Sequence, residues 1–357
     1  MTTSGAQLVP AVVESIVLRP DETLDRARAL LQRAPHDLGV VVDDEHRVLG
    51  TVSDATLRRA VINGDGFDAP VRAVMNSAPV VAAAGASDQE VRELLTAHRL
   101  RSIALVEGDR LVGARSFEGF PPATTEPAAV VMAGGRGQRL RPFTDKVPKP
   151  LLKVGSTSIV ERIIGGLASA GVRHVFVAVN YMADAFERRL GSGEQLGDNL
   201  EYLHEDQPMG TAGALSMLSP DRWGPILVTN GDIVTTVAFD RLFDFHWRHG
   251  GAMTLAGVEY RSPIPYGVLR AAGHVLLEIE EKPERRDLCS AGIYVLDSSV
   301  LRILPRKTPL DMPEVVAAVL ADGLPVHVFP LLEKWFDIGG TAQFEQVLLE
   351  FALGEDD

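Results

Sequence analysis

Cysteine is almost absent from the 357-residue chain: Cys289 stands alone. That excludes an intrachain disulfide and any cysteine-based zinc site, and it fits a reducing cytoplasm. Long apolar runs are missing, so no membrane-spanning helix is expected. The amino-terminal stretch has no basic segment and is broken by Pro10 and Glu14, unlike a secretory signal. Positive charge is in deficit: a net charge of -13 argues against nucleic acid or an anionic membrane as a partner, because the excess that neutralises phosphates is not there. Any basic site must be local. Lysine is scarcest, with six among 35 basic residues. Two nucleotide-binding signatures are also missing. No Walker GxxxxGK[ST] occurs, and GxGxxG fails because Leu140 sits where the third glycine would be. What remains, with 46% apolar residues, is the composition of an ordinary globular protein long enough for two domains.

The chain is organised around MAGGRGQRLRPFTDKVPKP, Met132 to Pro150. Ala128 to Met132 is short, apolar and valine-bearing, and reads as a buried strand that delivers a loop at its carboxyl end. Open α/β sheets bind ligands at that end. Gly134, Gly135 and Gly137 remove side chains where backbone N–H groups must approach a polyphosphate, while Arg136, Arg139, Lys146 and Lys149 supply charge. Three of the six lysines fall between Lys146 and Lys153, which suggests a task. Downstream, Ser158 to Gly171 reads as a capped helix, followed by a strand ending at Asn180. A helix near Met182 to Leu190, a strand at Leu200 to His204, a helix after Gly213 and a strand at Pro225 to Thr229 continue the alternation. This pattern predicts an α/β fold with a doubly wound, mostly parallel sheet. Asp232, in NGDIV at the tip of the last of these strands, is a candidate for holding metal or substrate, or else a turn residue. His246 and His249 lie three apart on an expected helix, without the neighbours a metal site needs.

The loop resembles the signature of the sugar-1-phosphate nucleotidyltransferases, roughly GGxGxRLxPxT followed by PKP, which Gly134 to Thr144 and Pro148 to Pro150 match. The resemblance implies a catalytic domain over residues 128–357 and a Mg²⁺ cofactor held by Asp232 and by Asp337 of WFDIGG. It implies catalytic roles for Arg139, Lys149 and Lys282 on the phosphates. Nucleotide binding falls to Ala133, Gly134, Gly135, Gly137, Gly210 and Thr211, and sugar binding to Gly267 of YGVL, Glu281 of EEKP and Ser290 of SAGIYVL. Serine stands at this last position where asparagine is common, so hydroxyl selectivity there is open. The implied substrates are an NTP and a sugar 1-phosphate. No hexapeptide repeats follow, so no left-handed β-helix is expected. A non-catalytic nucleotide-sugar sensor is the alternative reading.

From Val9 to Glu118 the chain carries a weak repeat: RVLG (Arg47 to Gly50) is echoed by RLVG (Arg110 to Gly113), and ALL (Ala29 to Leu31) by ELL (Glu93 to Leu95). The pattern resembles a tandem pair of CBS domains, a smaller α+β module expected over residues 1–122, with a linker at 123–127. Ser53 and Ser116 match the hydroxyl position that in this family helps hold an adenosine, but Thr56 and Gly119 replace its aspartates. A hydroxyl or a bare glycine cannot accept two ribose hydroxyls as a carboxylate does, so the pair is expected to serve docking or homodimerisation rather than adenine-nucleotide sensing. Because every catalytic motif lies beyond Thr125, a chain starting there is expected to be active.

The base reader in the resembled family sits five residues before the Gly-Thr of a GTAGA-like segment, which here is Glu205 in HEDQPMGTAGAL. A carboxylate accepts from both N1–H and N2–H₂ of guanine and offers uracil no donor, so Glu205 points to GTP. This combination resembles the glucosamine-1-phosphate and mannose-1-phosphate guanylyltransferases of bacteria, with the sugar left open.

Overall fold

The computed structural model describes residues 8–11, 13–33, 37–117, 126–193 and 199–352. Gly119 and the expected linker as far as residue 125 lie outside them.

Strand Ala128–Met132 is central to a seven-stranded sheet. On one side it pairs in parallel with His174–Val179, which pairs in parallel with Asn199–His204. On the other side it pairs in parallel with Ile226–Asn230. Glu284–Leu296 follows, antiparallel to both its neighbours, then Met253–Pro263, with Val326–Pro330 parallel to that strand at the edge. The sheet is therefore mostly parallel, with one reversed strand. Because side chains alternate across a strand, Ala129 and Val131 enter the core on one face, and Ala128 and Val130 enter that on the other. Such double burial explains why the segment is apolar without a period of two.

Helix Ile159–Ser169 starts at a capping box, in which Ser158 accepts from the Glu161 N–H and Glu161 reaches back to Ser158. The helix expected after Gly213 is only a 3₁₀ turn, Gly213–Met217. The Gly-Thr-Ala-Gly run before it sits in a tight turn against Leu310 and Asp311, which leaves no room for a full helical entry. Strands Met253–Pro263 and Glu284–Leu296 run on past the sheet as an exposed arm that carries the hairpin Val268–Ala272 with Val275–Glu280.

The amino-terminal region repeats strand, helix, strand, strand. The first copy is Val17–Leu18, Leu24–Arg33, Gly39–Val42 and Val48–Val52, and the second is Val81–Ala83, Asp88–Ala97, Ser102–Glu107 and Arg110–Phe117. The echoed tetrapeptides meet: Arg47 bridges Arg110, Val48 N–H donates to Asp109 O, and Leu111 N–H donates to His46 O. Only the first copy adds a closing helix, Asp54–Asn63; among the described residues none follows Phe117 before Ala128. Helix Asp54–Asn63 packs instead on strand Val326–Pro330 of the large sheet.

Candidate active site

The central strand has neighbours reached by chain crossings in opposite directions, and a cavity of about 670 Å³ opens at its carboxyl end. Its lining includes Ala133, Gly134, Gly135, Gly137, Arg139, Lys149, Glu205, Gly210, Thr211 and Asp232. The expected phosphate-side and base-side residues thus surround one space.

The loop is held from behind. Gly137 is left-handed, with φ 59°, and a Cβ there would lie 3.0 Å from Lys149 Cβ and 3.1 Å from Thr144 Cγ2. Thr144 Oγ1 donates to Gly137 O at 2.8 Å, so the threonine of the motif fixes the glycine turn. Gly231 N–H donates to Met132 O at 2.8 Å, and any side chain there would strike that same carbonyl. This close approach brings the tip of strand Ile226–Asn230 against the loop. Lys149, buried, donates from Nζ to Asp232 Oδ2 at 2.5 Å.

Asp337 reaches the site through a two-stranded ribbon, Ile233–Thr235 with Trp335–Asp337, in which Ile233 pairs with Asp337. Ile338 N–H closes it by donating to Asp232 O. Burial, then the charge of Asp232, raises the Asp337 pKa, with Lys149 and Arg139 opposing. Two carboxylates are therefore brought within electrostatic reach of each other and of both cations.

At the other end, Glu205 is buried beside Gly134, where a Cβ would come 3.0 Å from its Oε2. Burial raises its pKa, and the Met209 N–H, 3.4 Å away, lowers it only in part. Asn180, which sequence reasoning passed over, donates to Glu205 O at 2.7 Å and lines the cavity. Asp311 was missed as well. It accepts from Thr211 N–H at 2.8 Å and from Thr211 Oγ1, tying the Gly-Thr turn to helix Met312–Ala321. Its only sequence signal is the cap position before Met312 and Pro313.

The residues expected on the sugar side stand apart. Gly267, Glu281 and Lys282 lie on the exposed arm, Glu281 close to Gly267, and none lines the cavity. Ser290, also outside that lining, shares a 2.9 Å hydrogen bond with Tyr294.

His246 is buried and bonded to Thr254 Oγ1, with its pKa lowered to about 4 by burial; His249 stacks on Phe245. Ser53 and Thr56 line a second cavity of about 800 Å³, but each hydroxyl is engaged in the cap of helix Asp54–Asn63. Ser116 is buried and bonded to Ser102. No helix of the described residues is long and apolar enough to cross a membrane.

These features are those of a nucleotide-binding transferase, and the chain belongs to the Nucleotidyl transferase family, which it matches over residues 128–352. Residues 11–63 match the CBS domain family. Among curated proteins the chain is similar to the mannose-1-phosphate guanylyltransferase catalytic subunit beta of Danio rerio, at 34% identity over 224 residues, covering 60% of this chain and 62% of that protein. It is similar to the mannose-1-phosphate guanylyltransferase of Mycobacterium tuberculosis at 31% identity, covering 62% of this chain and 64% of that one. The chain thus spans less than two thirds of these relatives' length. Among solved structures, a putative glucose-1-phosphate thymidylyltransferase from Bacillus anthracis shares the fold, with a TM-score of 0.51 at 22% identity, covering 63% of this chain and 95% of that one. HddC from Yersinia pseudotuberculosis, complexed with GMP-PN, does so with a TM-score of 0.50 at 19% identity, over 63% and 99%.

Proposed function

We propose that the protein is a Mg²⁺-dependent sugar-1-phosphate guanylyltransferase, converting GTP and a sugar 1-phosphate, glucosamine 1-phosphate or mannose 1-phosphate, to a GDP-sugar and pyrophosphate. The observation that carries this reading is the 2.5 Å Lys149–Asp232 contact, within electrostatic reach of Asp337, in the lining of a glycine-rich cavity that also includes the buried carboxylate of Glu205. The 34% identity to a mannose-1-phosphate guanylyltransferase supports the same class.

In this reaction an oxygen of the sugar phosphate attacks the α-phosphorus, the bond to the oxygen bridging to the β-phosphorus breaks in line, and pyrophosphate leaves. Both reactants are anions, so positioning and charge neutralisation do the work and no covalent nucleophile is needed. Arg139 and Lys149 would hold the triphosphate and neutralise the leaving pyrophosphate, and Lys282 would hold the attacking phosphate. Ala133, Gly134, Gly135, Gly137 and Gly210 would present backbone to the nucleotide. Thr211, its N–H and hydroxyl already bonded to Asp311, would set the path of that turn. Gly267, Glu281 and Ser290 would face the sugar. Asp232 and Asp337 offer only oxygen donors, and burial followed by the charge of Asp232 raises the Asp337 pKa, which fits a hard divalent cation. Bound there, Mg²⁺ would supply charge neutralisation at the phosphates.

The test is pyrophosphate release from the full chain with Mg²⁺, across four NTPs and a panel of sugar 1-phosphates. GTP with one hexose or hexosamine 1-phosphate should dominate. Release with no pair would leave a nucleotide-sugar sensor as the better reading.

A further inference from the structure

The ribbon next to Asp232 that ends on Asp337 has three residue pairs, with Ile233 and Val234 seated in the core and Trp335 Nε1 donating to Ala291 O. Its far ends run into the amino-terminal domain. Ahead of Trp335, Glu333 accepts from Arg58 Nη2 at 2.7 Å and Nη1 at 3.2 Å, and Arg58 Nη1 also donates to Pro330 O. Beyond Thr235, helix Phe239–His249 carries Arg241, which donates to Asp54 Oδ1 at 3.0 Å and to Leu31 O at 3.1 Å. Both ends converge on one carboxylate, because Asp54 also accepts from Arg58 Nε at 2.5 Å and Nη2 at 3.1 Å.

Arg58 is fully buried, its five N–H donors are all engaged, and its guanidinium lies 3.6 Å from the centre of the Phe329 ring. Burial works against the charge of Asp54, but Arg58 and Arg241 outweigh it and lower its pKa, so the node is ionised. A buried ion network is a poor source of net stability, since apolar residues of the same volume do as well or better. What it supplies is direction. A fork of five donors accepts one arrangement of its partners.

We propose that Asp54 and Arg58 are positioning residues for the active site: through Glu333 and Arg241 the amino-terminal domain holds both strands of the ribbon and sets the spacing of Asp232 and Asp337. This rests on the reading of those two aspartates as metal ligands. It also revises the expectation for a chain starting near Thr125, because such a chain leaves Arg241 and Glu333 without their buried partners.

The test uses the full chain and Mn²⁺ as the probe, with affinity read by electron paramagnetic resonance without turnover, and the Mg²⁺ needed for half-maximal rate read separately. Arg58→Met keeps the packing volume and should weaken Mn²⁺ binding severalfold, less than the roughly tenfold or greater loss on removing a direct partner of a metal ligand, because Arg58 acts through Glu333 and Asp54; it should raise the Mg²⁺ requirement equally while KM for the nucleotide holds. Arg101→Met breaks a different interdomain pair, Arg101–Asp240 at 3.0 Å, and should leave Mn²⁺ binding unchanged. Should Arg58→Met not fold, Glu333→Gln removes the charge of the same link and should weaken Mn²⁺ binding in the same direction. Unchanged Mn²⁺ affinity in Arg58→Met or Glu333→Gln, or an equal loss in Arg101→Met, overturns the proposal. Asp232→Asn separates the two ideas: if it binds Mn²⁺ like the wild type, the metal reading fails and takes the proposal with it.

Discussion

The proposed nucleotide half and the proposed sugar half of the candidate site are built by opposite means. On the nucleotide side, each turn is braced from behind: Gly137 by Thr144 and Lys149, Gly231 by Met132 O, and Gly210 by Leu310 and Asp311. On the sugar side, Gly267, Glu281 and Lys282 sit on an arm whose hairpin strands are exposed almost throughout. Rigid surroundings keep donors aimed without reorganisation, which is what stabilising charge on a leaving group requires. An exposed arm can hold a substrate but contributes less fixed geometry. The two halves should therefore fail differently when their cations are removed.

Lys149→Ala should lower kcat on the order of a hundredfold or more, because it removes the buried charge proposed to hold the triphosphate and leaves Asp232 without its 2.5 Å contact. Lys282→Ala should act mainly by raising KM for the sugar phosphate. Steady-state kinetics of both variants decide the matter. Equal effects on kcat would erase the contrast.

The same contrast can be read from stability. Gly210 and Gly273 are both left-handed, with φ 77° and 59°, so an alanine costs each about 1–2 kcal/mol of backbone strain. They differ in what a Cβ meets: Leu310 O at 2.6 Å for Gly210, and nothing within 4 Å for Gly273 on the arm. Gly210→Ala should therefore lose about 1–3 kcal/mol more than Gly273→Ala in denaturant unfolding, the usual cost of overpacking. A difference near zero would mean that the nucleotide side yields as readily as the arm.

That difference also explains what could be read in the sequence. The glycine-rich loop, its strand and the alternation of helices and strands were legible because glycine, buried apolar runs and capping boxes are local signals. The repeat was legible from RVLG and RLVG, which proved to pair with each other across the two copies. Asp311, Asn180 and the Asp54–Arg58–Glu333 node were not. Arg58 and Glu333 are 275 residues apart, and each reads alone as a solvated charge. Only the fold makes them partners. The truncation of the Gly213 helix escaped for the same reason, since a distant segment sets it.

Glu205 offers the finest test, because it lies at the best-braced end of the nucleotide side. It is buried, it packs on Gly134, and its carboxylate receives one long hydrogen bond among the described residues. A carboxylate so placed has acceptor capacity left for the adjacent N1–H and N2–H₂ of guanine. Glu205→Gln replaces one acceptor by a donor that faces guanine's donors, so kcat/KM for GTP should fall by a factor equivalent to about 1–3 kcal/mol, while that for UTP or dTTP stays level or rises. Burial also raises the Glu205 pKa, so GTP use in the wild type should decline as pH falls through that raised value, and the glutamine variant should lose this dependence. A wild type that prefers UTP or dTTP, or a variant with unaltered base preference, would assign base reading elsewhere and leave Glu205 as a buried support for Gly134.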